Sequence, residues 1–218
     1  MPSFSHDFWS IFLLTLQVSG SAVLLSALLG IPCGLALGLA HFPGKRILSA
    51  LVYTGMALPP VVVGLILYIL LSQSGPLALL QWLFTPAAMI AAQTILVLPF
   101  VIGITMGAVA SVPDTLLPQL KTLGASNWQQ RATILCEARG GILLAVAAGF
   151  GRSVSEVGAV LIVGGNIAGH TRVLTTAIVL ETSKGNFQFA LALGGALLLL
   201  ALLINLLIVC LQGGRPLP

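Results

Sequence analysis

The chain holds 218 residues, 58% of them hydrophobic and only 6% charged, with a net charge of +4 and a mean hydropathy of +1.10. Soluble domains carry about 25% charged residues, so this composition excludes a water-soluble globular protein and places the chain in lipid. The few basic residues form no stripe that would bind nucleic acid, and the scattered Cys33, Cys136, Cys210, His6, His41 and His170 give neither a disulfide framework nor a metal site.

Taken in order, the apolar runs read as five transmembrane helices in a single domain, 1–218, with spans at about 8–40, 47–72, 86–110, 141–163 and 187–211. Residues 8–44, 47–113 and 185–214 contain no charge at all. A crossing needs roughly 20 apolar residues for about 30 Å of hydrocarbon, so the uncharged run 47–113 must fold back on itself. The N-terminal apolar run is longer than a signal-peptide core and is read as a retained span. Within the second run, Pro59-Pro60 removes two backbone donors and predicts a bend, either a shaped kink or the lining of a pathway. Ser72-Gln73-Ser74-Gly75-Pro76 is turn chemistry, and the stretch Leu77–Phe84 is expected at the interface, with Trp82 near the headgroups. Gly30, Gly34 and Gly38 recur every four residues, and Gly103 and Gly107 repeat the spacing; such faces let helix backbones approach closely.

Between the third and fourth spans lies a polar island, about 113–139. Pro113 and Asp114 read as a helix start, with Asp114 as a cap. Leu116, Leu117, Leu120 and Leu123 follow at helical spacing, and Gly124 is a C-terminal break. A short helix of this kind fits a groove on a partner or rests on lipid. Lys45, Arg46, Lys121, Arg131, Arg139 and Arg215 all fall on one side of a five-span chain, against Arg172 and Lys184 on the other. The positive-inside rule then places the island and the C-terminus in the cytoplasm and the N-terminus outside.

Arg152 and Glu156 stand one turn apart within the fourth span, where each ion costs about 2.5–3.5 kcal/mol on insertion scales. They read either as a structural pair or as an anion gate. Beyond them the stretch 164–186 is rich in Gly, Asn and Thr and reads as an extracytoplasmic loop whose donors suit a multi-oxygen anion, with Arg172 adding charge.

The run Leu123-Gly124-Ala125-Ser126-Asn127-Trp128, with Ile134-Leu135 and Gly141-Ile142, resembles the cytoplasmic signature of ABC importer permeases. Two positions depart from it: Pro118-Gln119-Leu120 stands where an acidic-Ala-Ala triplet is expected, and Cys136 where a proline is. Leu58-Pro59-Pro60-Val61-Val62-Val63-Gly64-Leu65 and Arg152-Ser153-Val154-Ser155-Glu156-Val157-Gly158-Ala159 resemble motifs of molybdate and sulfate permeases. Gly164-Gly165-Asn166-Ile167-Ala168-Gly169, Thr171–Ile178 and Glu181–Gly185 are most similar to the tungstate permeases. The resemblance implies an all-α type I importer permease fold. It also implies a coupling helix from about Thr115 to Leu123, with Leu120, Lys121, Leu123, Gly124, Ala125 and Ser126 at the ATPase contact. Arg152, Glu156, Asn166, Arg172, Thr175 and Thr176 are the pathway or gate candidates.

The partners implied are a second copy of the chain, two cytoplasmic ABC ATPase subunits, an extracytoplasmic oxyanion-binding protein and membrane lipid, in a bacterial or archaeal cytoplasmic membrane. No cofactor is expected on this chain, because ATP belongs to the partner: Gly44-Lys45-Arg46, the nearest approach to a Walker A motif, lacks the upstream glycine and the hydroxyl residue. The cargo expected is a tetrahedral oxyanion, tungstate first, with molybdate or sulfate as alternatives. A secondary transporter would show related halves, which this sequence lacks. An intramembrane enzyme would need a nucleophile and base or metal ligands within reach, and the spans hold no His, Asp or paired carboxylates.

Overall fold

The computed structural model describes residues 2–40 and 42–211; His41 and Arg215, both used above, lie outside them. The described residues form ten α-helices: α1 (Pro2–Leu39), α2 (Lys45–Met56), α3 (Pro60–Leu71), α4 (Pro86–Ala110), α5 (Leu116–Thr122), α6 (Asn127–Glu137), α7 (Arg139–Val154), α8 (Gly158–Gly164), α9 (Leu174–Ser183) and α10 (Phe187–Leu211), with a 3₁₀ turn at Ala78–Leu80. Three stretches are long and apolar enough to cross a membrane alone: Phe8–Leu39, Pro86–Ala110 and Phe187–Ile208. The bent pairs α2–α3 and α6–α7 raise the number to as many as five if each is one span.

The framework is the α1–α4 seam. Built as an ideal methyl, a Cβ on Gly30 would lie 2.9 Å from Val101 Cγ1, on Gly34 2.7 Å from Thr105 Cβ, and on Gly38 2.6 Å from Val109 Cγ1. Three glycines spaced by four on α1 thus receive three β-branched residues spaced by four on α4, one turn after another. Without a hydrophobic force between helices in lipid, this close packing is what holds such a pair together. Gly103 and Gly107 do not continue the seam. Gly103 faces Met56 and Val52 of α2, and Gly107 faces open space.

Two of the expected spans are broken. The run 47–72 is not one helix but α2 and α3, meeting at 93°. Pro59 and Pro60 cannot donate, so α2 stops at Met56 and Pro60 opens α3 as its first residue. The run 141–163 divides into α7 and α8, with residues 155–157 outside either helix. There the helix tightens, with Glu156 N–H donating to the Ser153 carbonyl, and the Glu156 side chain takes over as acceptor for α8. On the other side α7 begins at Arg139 and meets α6 at 65°.

Apolar burial follows these breaks. Val63 and Leu67 of α3, Met89 and Leu96 of α4, and Val160 and Val163 of α8 form one cluster. Val97 and Val101 of α4, Phe150 of α7, Leu174 of α9 and Leu193 of α10 form a second. A third lies at the island end, where Leu35, Val109, Ile134 and Ala138 pack with Leu116, Leu117 and Ile142. The expected interfacial stretch Leu77–Phe84 holds only the 3₁₀ turn, and Phe84 N–H donates to the Val163 carbonyl at 2.8 Å.

Candidate functional site

At the island, α5 is a two-turn helix, shorter than the expected run from Thr115 to Leu123. Asp114 does not cap it: Thr115 occupies the N-cap and no side chain caps there. The C-terminal end is better specified. Gly124 has φ +77°, a conformation open to glycine without strain. Its N–H donates to the Lys121 carbonyl at 3.0 Å, and Ala125 N–H donates to the Leu120 carbonyl at 3.0 Å, the paired closure of a Schellman turn. The next helix starts at once. Ser126 Oγ accepts from Gln129 N–H, and Gln129 Oε1 accepts from Ser126 N–H at 2.7 Å, a reciprocal cap worth about 1 kcal/mol. Gln130 Nε2 donates to the Ala125 carbonyl at 2.7 Å.

Leu120, Lys121, Leu123, Gly124, Ala125 and Ser126 therefore form one elbow, closed by these backbone and side-chain hydrogen bonds. Leu116 and Leu117 turn inward to the third cluster. Leu123 and Trp128 turn outward, 81% and 77% exposed. Two large exposed apolar side chains beside a tightly closed turn suit an interface.

A second polar site occupies the break between α7 and α8. Arg152 Nη1 donates to Glu156 Oε2 at 2.9 Å, and the guanidinium carbon sits 6.0 Å from the Phe100 ring centroid. The Arg152 side chain is 24% exposed and that of Glu156 3%. Glu156 Oε1 accepts from Ala159 N–H at 3.0 Å, and the Glu156 carbonyl accepts from Thr175 Oγ1 at 2.9 Å. Alongside, Gln93 Nε2 donates to the Ser153 carbonyl at 3.0 Å and its Oε1 accepts from Ser153 Oγ at 2.7 Å. Gln93 and Ser153 were not singled out in the sequence; an amide inside an otherwise apolar helix was the available signal.

The structure brings Arg152, Glu156 and Thr175 together, and places Asn166, Arg172 and Thr176 in a neighbouring turn. The stretch 164–186 is not an open loop, since α9 fills much of it. Asn166, at φ +52°, accepts from Arg172 Nε at 3.2 Å through Oδ1 and from Arg172 Nη2 at 3.3 Å through its carbonyl. Thr171, Thr175 and Thr176 are buried. Thr171 Oγ1 donates to the Gly164 carbonyl, and Thr176 Oγ1 to that of Val173. These hydroxyls therefore spend their hydrogen bonds on the fold. Arg172 borders two clefts, of about 210 and 270 Å³. At the end of α9, Lys184 Nζ donates to Glu181 Oε1 at 2.8 Å, and that bond holds the Glu181 carboxyl below the usual carboxylate range.

An all-helical chain with paired broken helices, a charged pair at one break and an exposed elbow at one end has the features of a membrane transport subunit. The chain belongs to the binding-protein-dependent transport system inner membrane component family, whose pattern matches residues 30–213. It is 47% identical over 203 residues to a probable anion ABC transporter permease protein of Haloferax volcanii, covering 91% of this chain and 88% of that one. It is 41% identical over 212 residues to the tungstate uptake system permease protein TupB of Peptoclostridium acidaminophilum, covering 97% and 93%. The fold matches the crystal structure of an amino acid ABC transporter with histidines at a TM-score of 0.69, covering 97% of this chain and 95% of that one at 18% identity. The chain is thus a multi-pass permease subunit with the type I ABC importer fold, and not the catalytic subunit of its transporter.

Proposed function

We propose that the chain is the transmembrane subunit of an ATP-driven importer for a tetrahedral oxyanion, tungstate in particular. Two copies enclose the pathway, two cytoplasmic ATPase subunits drive it, and an extracytoplasmic binding protein delivers the anion. The observation that carries this reading is the 41% identity to a tungstate permease across 97% of the chain. In this reading the chain makes five crossings, with its N-terminus outside and its C-terminus inside. It binds no cofactor and hydrolyses nothing; ATP is consumed by the partner.

The division of labour follows from the geometry. Leu123 and Trp128 seat the elbow in the ATPase, with Lys121 beside them. Because Gly124, Ala125 and Ser126 close the turn rigidly, closure of the ATPase around nucleotide displaces α5 and α6 together. That displacement reaches α4 and α7, between which the elbow is strung. Arg152, still partly exposed at the mid-bundle break, is the cation placed to meet an anion on the pathway; Arg172 is the one at the outer end.

The test is uptake of radiolabelled tungstate by proteoliposomes holding the permease, its ATPase and its binding protein, with ATP inside. ATP-dependent uptake that unlabelled tungstate suppresses at lower concentration than molybdate or sulfate is the result expected. Stronger competition by molybdate or sulfate reassigns the cargo, and uptake without ATP overturns the mechanism.

A further inference from the structure

Glu156 bonds to three helices with its own atoms. Its Oε2 takes a bond from Arg152 on α7, its Oε1 from the Ala159 N–H on α8, and its carbonyl from Thr175 on α9. We infer that Glu156 is a positioning residue for transport: it transmits movement of the α4–α7 body to α8, α9 and α3.

A carboxylate suits this position because it offers two acceptor oxygens and no donor. One accepts from the Arg152 guanidinium and the other from the Ala159 backbone N–H at the start of α8. The helices on either side of the joint are each tied to a neighbour. Gln93 and Ser153 clasp α4 to α7 through two bonds within three residues of Glu156. Beyond the joint, α8 lies tight on α3: a Cβ built on Gly64 would come within 2.7 Å of Ala159 Cα, and one on Gly158 within 2.9 Å of Val61 Cγ2. The α3 residues in that contact follow directly on the Pro59-Pro60 break. Two interrupted helices are therefore packed break against break, and Glu156 is the polar link across one of them. With α8 and α3 locked together, a shift of α7 reaches them along the chain through residues 155–157, whose geometry Glu156 fixes, beside the apolar packing of α4 on α3 and α8.

This inference rests on the proposed reading that the α5–α6 elbow is moved by an ATPase, and its readout is chosen accordingly. The complete complex with ATPase and binding protein is reconstituted, and tungstate taken up per ATP hydrolysed is measured. Glu156→Gln keeps the shape but puts an amide NH2 in place of one carboxylate oxygen, so a donor then faces Arg152 or the Ala159 N–H. Glu156→Asp keeps the charge but falls short by a methylene. Each is expected to lower the uptake-to-hydrolysis ratio at least tenfold. Thr175→Val, which removes only the bond to the Glu156 carbonyl and preserves side-chain shape, lowers it severalfold. Uptake and hydrolysis falling by one common factor in Glu156→Gln would reduce Glu156 to a folding role and overturn the inference. If the Glu156 variants do not assemble, an unchanged ratio in Thr175→Val overturns it and a lowered one supports it. A wild-type complex that hydrolyses ATP but moves no oxyanion overturns the underlying reading, and the inference with it.

Discussion

Replacing Gly34 with alanine tests whether the α1–α4 seam holds the bundle. The new Cβ would stand 2.7 Å from Thr105 Cβ, 2.8 Å from the Ile102 carbonyl oxygen and 3.0 Å from Thr105 Cγ2. Carbon atoms pack best at about 3.5–4.0 Å, so the helices must separate by about 1 Å. One of the obstructing atoms is backbone, which cannot rotate away. The displacement also loosens the approaches at Val101 and Val109, since the seam is a single register. Overpacking of this kind costs about 1–3 kcal/mol, equivalent to a fall of roughly 2–12 °C in unfolding midpoint for a chain of this size. Gly20, on the same helix, has no atom within 4 Å of its would-be Cβ. Gly20→Ala removes the entropic penalty of a helical glycine and is expected to gain about 0.5–1 kcal/mol. Both variants are measured by thermal unfolding in one detergent. A Gly34→Ala protein as stable as the wild type, or a Gly20→Ala protein that loses as much, would refute the seam.

Thr105 Oγ1 is the one buried side-chain oxygen without a hydrogen-bond partner among the described residues. Thr105→Val keeps the shape, removes the orphan and is expected to raise stability by about 1–2 kcal/mol in the same unfolding assay. At the elbow, Gly124→Ala forces a side chain into the left-handed region at a cost of about 1–2 kcal/mol. It should lower the amount of ATPase subunit recovered with the permease, and equal recovery at equal expression contradicts the elbow's role. Glu156→Ala leaves Arg152 without its counter-ion inside the bundle, whereas Arg152→Leu with Glu156→Leu removes both charges. Since breaking a buried pair costs more than replacing it, assembled complex should fall further in the single variant; equal yields of the two would show that the pair carries no burial penalty.

The long helices were legible because apolar length is a strong signal in a membrane chain: α4 starts at Pro86 and α10 at Phe187, where the sequence places helices. The glycine register on α1 was legible as a packing face, but its partner residues were not, since spacing alone does not say which helix is met. Pro59-Pro60 marked a bend without giving its size, because prolines set where hydrogen bonding fails and not the angle that packing then selects. The α7–α8 break carried no proline. It arises from a side chain, Glu156, replacing a backbone acceptor, and a helical i,i+4 pair reads the same in sequence whether or not the helix continues past it. The threonines after Gly164 looked like solvated donors by composition, yet α9 buries Thr175 and Thr176. Ser126 and Gln129 stand at capping-box spacing, a signal for the start of α6 that the sequence reading did not use.

The account depends on the elbow facing the compartment that holds ATP. A single cysteine in place of Trp128, with Cys33, Cys136 and Cys210 replaced by serine, can be tested with a membrane-impermeant maleimide. The expected result is no labelling in intact cells and rapid labelling once the membrane is permeabilised. Rapid labelling of intact cells would put the elbow outside and contradict ATP-driven import through this chain.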